Sequence, residues 1–142
     1  MVEKKVNYDQ LAPTYDQRFA SQPPSGVAQA LQEFVDWDQL RSILEVGCGT
    51  GHWLAHLGQL DPRCCGLDLS RGMLQQAQAH QPALLLVQGS AHHLPFSGNS
   101  FNAVFCVNAI HHFDQPKRFV AEAYRLLRPG GWLAVFGSDP HG

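Results

Sequence analysis

Glu45-Val-Gly47-Cys-Gly49-Thr-Gly51 is a glycine-rich turn preceded by an acid. Glycines so spaced let a backbone turn tightly and let a ligand meet the main-chain N–H groups that open a following helix. Dinucleotide sites place glycines as G-x-G-x-x-G in the same setting. Here the third glycine comes one residue earlier, and the acid stands two residues before the first. A carboxylate at that point suits a cationic ligand better than a pyrophosphate. Asp68 follows 19 residues beyond Gly49, placed to accept hydrogen bonds from ribose hydroxyls. A helix cap is the competing role for Asp68, but Ser70 already fills it.

The histidines offer proton chemistry. His111 and His112 close an apolar run, and imidazole titrates near neutrality, which suits a general base; a polar pair at a loop entrance is the alternative. His92 and His93 read as solvated loop residues. His52 and His56 are spaced i, i+4 and could share a metal, but no third ligand lies nearby in sequence, so they read as surface residues. The four cysteines, Cys48, Cys64, Cys65 and Cys106, contain no C-x-x-C pair. Cys64 and Cys65 would point to opposite faces of a strand and could not easily join. All four read as small buried hydrophobes, and no metal is expected.

The elements that must position these groups follow from hydrophobic periodicity. At 142 residues, 44% of them hydrophobic and 15% charged, the chain has room for one domain, 1–142, with a core of its own. Net charge is −2 and the ten Lys and Arg are scattered, which argues against nucleic acid as a partner. No apolar stretch approaches the roughly 20 residues of a membrane span. The opening MVEKKVNYDQ leads into no apolar segment of a signal peptide, so a soluble, cytoplasmic protein is expected. Residues 25–35 read as an amphipathic helix capped by Ser25. Strands are expected at 42–46, 63–67, 83–87, 101–107 and 132–136. Helices are expected at 51–57, from Ser70 to about 80 with Met73, Leu74 and Ala77 inward, and from Asp114 or Gln115 with Pro116 in the first turn. That last helix carries Phe119, Val120, Ala123, Tyr124 and Leu127 inward and stops at Pro129-Gly130-Gly131. Continuous apolar strands alternating with helices predict a doubly wound, mostly parallel α/β sheet covered on both faces. In such sheets ligands bind beyond the carboxyl ends of the strands.

ILEVGCGTG (43–51), GLDLS (66–70), GSAHHLPF (89–96), SFNAVFCVNAIHHF (100–113) and LLRPGGWLAVF (126–136) together resemble class I S-adenosylmethionine-dependent methyltransferases. The likeness is strongest to small-molecule enzymes such as those of ubiquinone and menaquinone biosynthesis. YDQLAPTYDQRF (8–19) is similar to the lid of that group, so the resemblance divides the domain into a lid-like segment, 1–24, and a cofactor-binding core, 25–142. It implies a Rossmann-like sheet of order 3-2-1-4-5, S-adenosyl-L-methionine as cofactor, and a small-molecule methyl acceptor. Gly47, Cys48, Gly49 and Gly51 would pass under the methionine part, with Glu45 near its ammonium and sulfonium charges. Asp68 would hold the ribose and Leu69 the adenine face. Ser90 and Ala91 would meet the adenine edge, where the usual pattern has Asp in place of Ser90. Asn108 would offer its carbonyl to the amino group, Tyr8 and Tyr15 would close from the lid, and His111 or His112 would act as the base.

Members of the resembled group continue past the fifth strand with a helix and an antiparallel pair. The sequence given ends at Gly142, so strands 6 and 7 are expected to be absent. The fifth strand, Trp132–Phe136, would then be an apolar edge open to self-association. The alternatives to an active methyltransferase are a non-catalytic or truncated S-adenosylmethionine-binding domain and an NAD-dependent oxidoreductase. Glycine spacing argues against the last.

Overall fold

The structure, a computed structural model, describes residues 2–4, 29, 42–58 and 63–137. The lid-like segment with Tyr8 and Tyr15 lies outside the described residues, as does the expected helix 25–35 except for Gln29, which is helical.

Five parallel strands form the centre: β2 (Ile43–Val46), β3 (Cys64–Asp68), β4 (Leu85–Gln88), β5 (Phe101–Val107) and β6 (Leu127–Phe136). A short β1 (Val2–Lys4) adds to them, giving the order β1-β6-β5-β2-β3-β4. The parallel strands therefore run 3-2-1-4-5, as the family resemblance implies. Between them lie α1 (His52–Gly58), α2 (Arg71–His80) and α3 (Pro116–Leu126).

Side-chain alternation along the strands splits the core into two layers. Ile43, Phe105, Trp132 and Phe136 face one side, where Leu54 of α1 and Leu74 of α2 pack. Leu44, Val104, Cys106 and Leu133 face the other, against Phe119, Ala123 and Leu126 of α3. In α3 the spacing i, i+4, i+7 puts those three residues on one stripe, and Pro116 starts the helix with its φ already set. Gly66 lets α1 approach the sheet. A Cβ there would lie 2.3 Å from Leu54 Cδ1 and 2.8 Å from Cys48 Sγ.

The loop after β4 is fastened to α3 by a charged clamp. Glu122 Oε2 accepts from the Leu94 backbone N–H at 2.8 Å, and Arg125 donates to the Leu94 and Phe96 carbonyls at 2.8 and 2.9 Å. Arg125 also pairs with Glu122 at 2.9 Å. Its hydrogen bond holds the Glu122 carboxyl below the usual range.

Three expectations need correction. Pro129-Gly130-Gly131 does not stop the preceding helix, which ends at Leu126. Leu127 is already extended (φ −76, ψ 137), and Ser100 N–H donates to the Leu126 carbonyl at 2.7 Å. The Pro-Gly-Gly segment instead sits within β6, where the register against β5 shifts between Phe101 and Ala103. Pro129 could not have continued the helix in any case, since it disfavours helix at Arg128 and has no N–H to donate. The third strand begins two residues later than expected and is only partly buried, with Leu85 61% exposed, because β4 is the sheet edge. The expected edge at Trp132–Phe136 is occupied: Val2, Glu3 and Lys4 pair antiparallel with Ala134, Leu133 and Trp132. The exposed-strand argument for self-association therefore loses its basis.

Gly66→Ala is expected to destabilise the fold by about 1–3 kcal/mol through overpacking against Leu54. Urea unfolding measures it; a wild-type midpoint would show that α1 does not need the missing Cβ.

Candidate functional site

The carboxyl ends of β2, β3, β4 and β5 open into a cleft of about 470 Å³. That volume is within the range of small-ligand sites. The first wall is the turn after β2. Gly47, Gly49 and Gly51 all have positive φ (77, 55 and 83). At Gly47 the need is also steric, because a Cβ would stand 2.7 Å from Ala109 Cβ. The turn is tied to β3, since the Gly47 and Cys48 N–H groups donate to the Leu67 carbonyl at 2.7 and 3.1 Å.

Asp68 ends β3 and joins two loops. Its Oδ2 accepts from Gly49 N–H and its Oδ1 from Ser70 N–H, each at 2.8 Å. Ser70 caps α2, with its hydroxyl accepting from Met73 N–H at 3.2 Å. The competing role of Asp68 as helix cap is thus filled by Ser70, as expected. A carboxylate has about four acceptor positions, so Asp68 keeps capacity directed at the cleft it lines.

Glu45 is 1% exposed, and its Oε1 has no hydrogen-bond partner among the described residues. By alternation with Ile43 it lies on the α1 side of the sheet, beneath the glycine turn. Burial first, and the Asp68 charge second, push its carboxyl well above the usual range. A buried acid left unpaired costs stability unless a ligand repays it.

Of the expected cofactor residues, Gly47, Gly49, Asp68, Leu69, Ser90, Ala91 and Asn108 line the cleft. Asn108 adopts φ 54, uncommon for a residue with a side chain, which re-aims the chain at the end of β5. Glu45, Cys48 and Gly51 do not line it. The Cys48 thiol turns into the core towards Gly66, and burial pushes it up to about 12, so it packs rather than reacts. Gly51 faces Ala77 and Leu84 instead. Tyr15 lies outside the described residues. Ser90 is engaged, because its hydroxyl accepts from His92 N–H at 3.1 Å.

The two expected bases separate. His112 lines the cleft, whereas His111 does not, and its ring reaches towards Gly137. His92 is no solvated loop residue: it lines the cleft and its ring is held by Gln115. His93 is exposed, as expected. His52 is exposed too, but His56 is half-buried, with an Nε2 unpartnered among the described residues. Among those residues no cluster of three His, Cys, Asp or Glu could hold a metal. All four cysteines are free.

Sequence reasoning missed Met73, Phe113 and Asp114, which also line the cleft. Met73 was assigned to the inward face of α2 but is 45% exposed beside Leu69, itself 72% exposed. Two large apolar side chains left in solvent at a cleft rim are suited to a flat apolar ligand. Their spacing across a helix cap, one before and one within the first turn, was the available signal.

A doubly wound sheet with a glycine turn, an acid ending the second central strand and a cleft at the switch point defines a Rossmann-like cofactor-binding domain. Residues 44–135 match the Methyltransferase domain family, and the chain belongs to it. It is 43% identical over 104 residues to phthiotriol/phenolphthiotriol dimycocerosates methyltransferase of Mycobacterium leprae, covering 70% of this chain and 38% of that protein. It is 34% identical over 93 residues to demethylmenaquinone methyltransferase of Renibacterium salmoninarum, covering 66% and 39%. Among solved structures it resembles an amino pentose methyltransferase of Micromonospora echinaspora, determined with SAM bound. There the TM-score is 0.68 and the identity 30%, over 78% of this chain and 48% of that one. The matched region thus spans less than half of each relative.

Glu45 makes stability depend on pH. Its folded value lies above the ordinary 4.5, so its stabilising contribution is complete below the unfolded value and is lost as pH rises towards the folded one. Glu45→Gln removes that titration. Thermal melts should show the ligand-free variant gaining on wild type as pH rises from about 4.5 to neutrality. A constant difference across that window would contradict a raised carboxyl.

Proposed function

We propose that this chain binds S-adenosyl-L-methionine and serves its transfer of a methyl group to a small-molecule acceptor. The observation that carries the reading is the cleft itself, with an apolar rim, a half-satisfied Asp68 on one wall and, behind the glycine turn, the buried Glu45, whose Oε1 has no partner among the described residues. That pairing fits a ligand with a neutral ribose at one end and positive charge at the other. When bound, S-adenosyl-L-methionine supplies a methyl group already activated on a sulfonium.

The protein's own work is then binding, alignment and exclusion of water. Asp68 has acceptor capacity left for ribose hydroxyls. Leu69 and Met73 offer the adenine an apolar platform, with Ser90 and Ala91 at its edge. Ser90 is a weaker acceptor than the usual acid, and its hydroxyl is shared with His92 N–H, so adenine recognition leans on stacking. The Asn108 carbonyl is suited to the amino group. Glu45 balances the positive charge, and ligand binding gives its ionised form a partner. His112, at the cleft wall next to the end of β5, is the candidate to take a proton from an oxygen or nitrogen acceptor.

Relatives whose names indicate lipid, quinone and amino-sugar methylation support a small-molecule acceptor. Four free cysteines are consistent with a reducing, cytoplasmic setting. No helix among the described residues is long and apolar enough to cross a membrane.

Calorimetric titration tests the reading. S-adenosylhomocysteine should bind more tightly than NAD, and Asp68→Ala should weaken it by about 1.5–3 kcal/mol, the range for a hydrogen bond to a charged group. Preference for NAD would overturn the assignment. With an identified acceptor bearing a dissociable proton, His112→Ala should lower turnover about 10²-fold or more, with a smaller loss for His111→Ala. Undiminished turnover in His112→Ala would remove it as the base.

A further inference from the structure

The loop after β4 and the turn after β5 both line the cleft, and the His92 side chain joins the first to the start of α3. His92 Nε2 lies 3.0 Å from the backbone nitrogen of Gln115, at the start of α3. A backbone N–H can only donate, so Nε2 accepts and the proton of the neutral ring sits on Nδ1. Nδ1 is 3.4 Å from Ser90 Oγ. From the other side Arg118 grips the same loop, its Nε donating to the His92 carbonyl at 3.1 Å and its Nη2 to His93 Nδ1 at 3.2 Å.

This arrangement supplies what the sequence of α3 lacks. Gln115, the N-cap residue, makes no side-chain cap bond. In a capping box the third helical residue is Glu or Gln and accepts from the N-cap N–H; here that residue is Arg118, which has no acceptor. The His92 ring takes its place from another loop. The ring also meets Phe113 edge-on, at 6.2 Å and 77°. Phe113 in turn stands 3.7 Å from where a Cβ on Gly47 would be. The His92 ring thus lies between Ser90, on the adenine side, and Phe113, which stands beside Gly47 on the methionine side.

We propose that His92 is a positioning residue, which caps α3 from the loop after β4 and, beside the Arg118 and Glu122–Arg125 contacts, sets how the two walls that hold the cofactor meet. The proposal rests on the S-adenosylmethionine reading. Three variants of the full chain separate acceptor from packing. His92→Phe keeps a ring against Phe113 but removes the acceptor, His92→Ala removes both, and His92→Gln restores an oxygen at about the reach of Nε2. With S-adenosylhomocysteine as probe, affinity should fall about threefold to tenfold in the Phe and Ala variants and recover in the Gln variant. Hydrogen exchange at the Gln115 amide should quicken in the first two and stay slow in the third. Equal affinity in all four proteins, or a loss that Gln does not recover, would overturn the proposal, as would Gln115 exchange that ignores His92→Phe. Failure of the wild-type chain to bind S-adenosylhomocysteine would instead overturn the methyltransferase reading, and Gln115 exchange would still decide whether His92 caps α3.

Discussion

One carboxylate holds the two loops on which the cleft depends. Asp68 places an oxygen on the Gly49 N–H and the other on the Ser70 N–H, each at 2.8 Å. The first bond reaches 19 residues back to the glycine turn, and the second fixes the entry to α2. Charge-assisted bonds of this kind are about twice as strong as neutral ones, and both donors are rigid main chain. The Asp68 side chain, to which the proposed reading gives the ribose, is therefore held by the backbone in the ligand-free structure. Preorganisation of that sort lowers the cost of ordering on binding.

Glu45 shows the opposite economy. The strand that positions it is buried along its whole length, and its register neighbours are Gly66 and Phe105, neither of which can donate to a carboxylate from its side chain. Its Oε1 has no hydrogen-bond partner among the described residues. Substitution by an apolar residue of similar volume would suit the surrounding core better. On the proposed reading, the positive charge of a ligand at the glycine turn would offset that cost, and stability and binding would then pull against each other at a single residue.

Much of this was legible in the sequence because the core is nearly periodic. Continuous apolar runs between glycine and helix signals located β2, β3, β5 and the start of α3, and the order of the sheet followed from the resemblance. The cleft wall from Gly47 to Asp68 was equally readable, since glycine spacing and strand-end acids are local signals. What escaped was long-range. Val2–Lys4 is too short and polar to read as a strand, and only pairing against Trp132–Ala134 makes it one. The end of α3 comes at Leu126, ahead of Pro129 and its glycines, where the Leu126 carbonyl takes the Ser100 N–H. Met73 looked inward because its helix is amphipathic, but the first turn of α2 overhangs the cleft rather than the core.

The paired histidines were the least legible feature, and helix geometry explains why. Ile110–His112 forms a 3₁₀ turn, in which successive side chains diverge by roughly 120°. Adjacent residues on such a turn cannot both face one cleft, so His112 lines it while His111 turns towards Gly137. His92 and His93 divide in the same way, one ring reaching Gln115 at the cleft and the other reaching Arg118 on the outer side. A doublet in sequence is thus not a doublet of function. The chain is anchored at each pair, by the Asn108 N–H on the Phe136 carbonyl ahead of the first and by the His92 N–H on the Ser90 hydroxyl at the second, so the two rings of a doublet leave a held backbone in different directions.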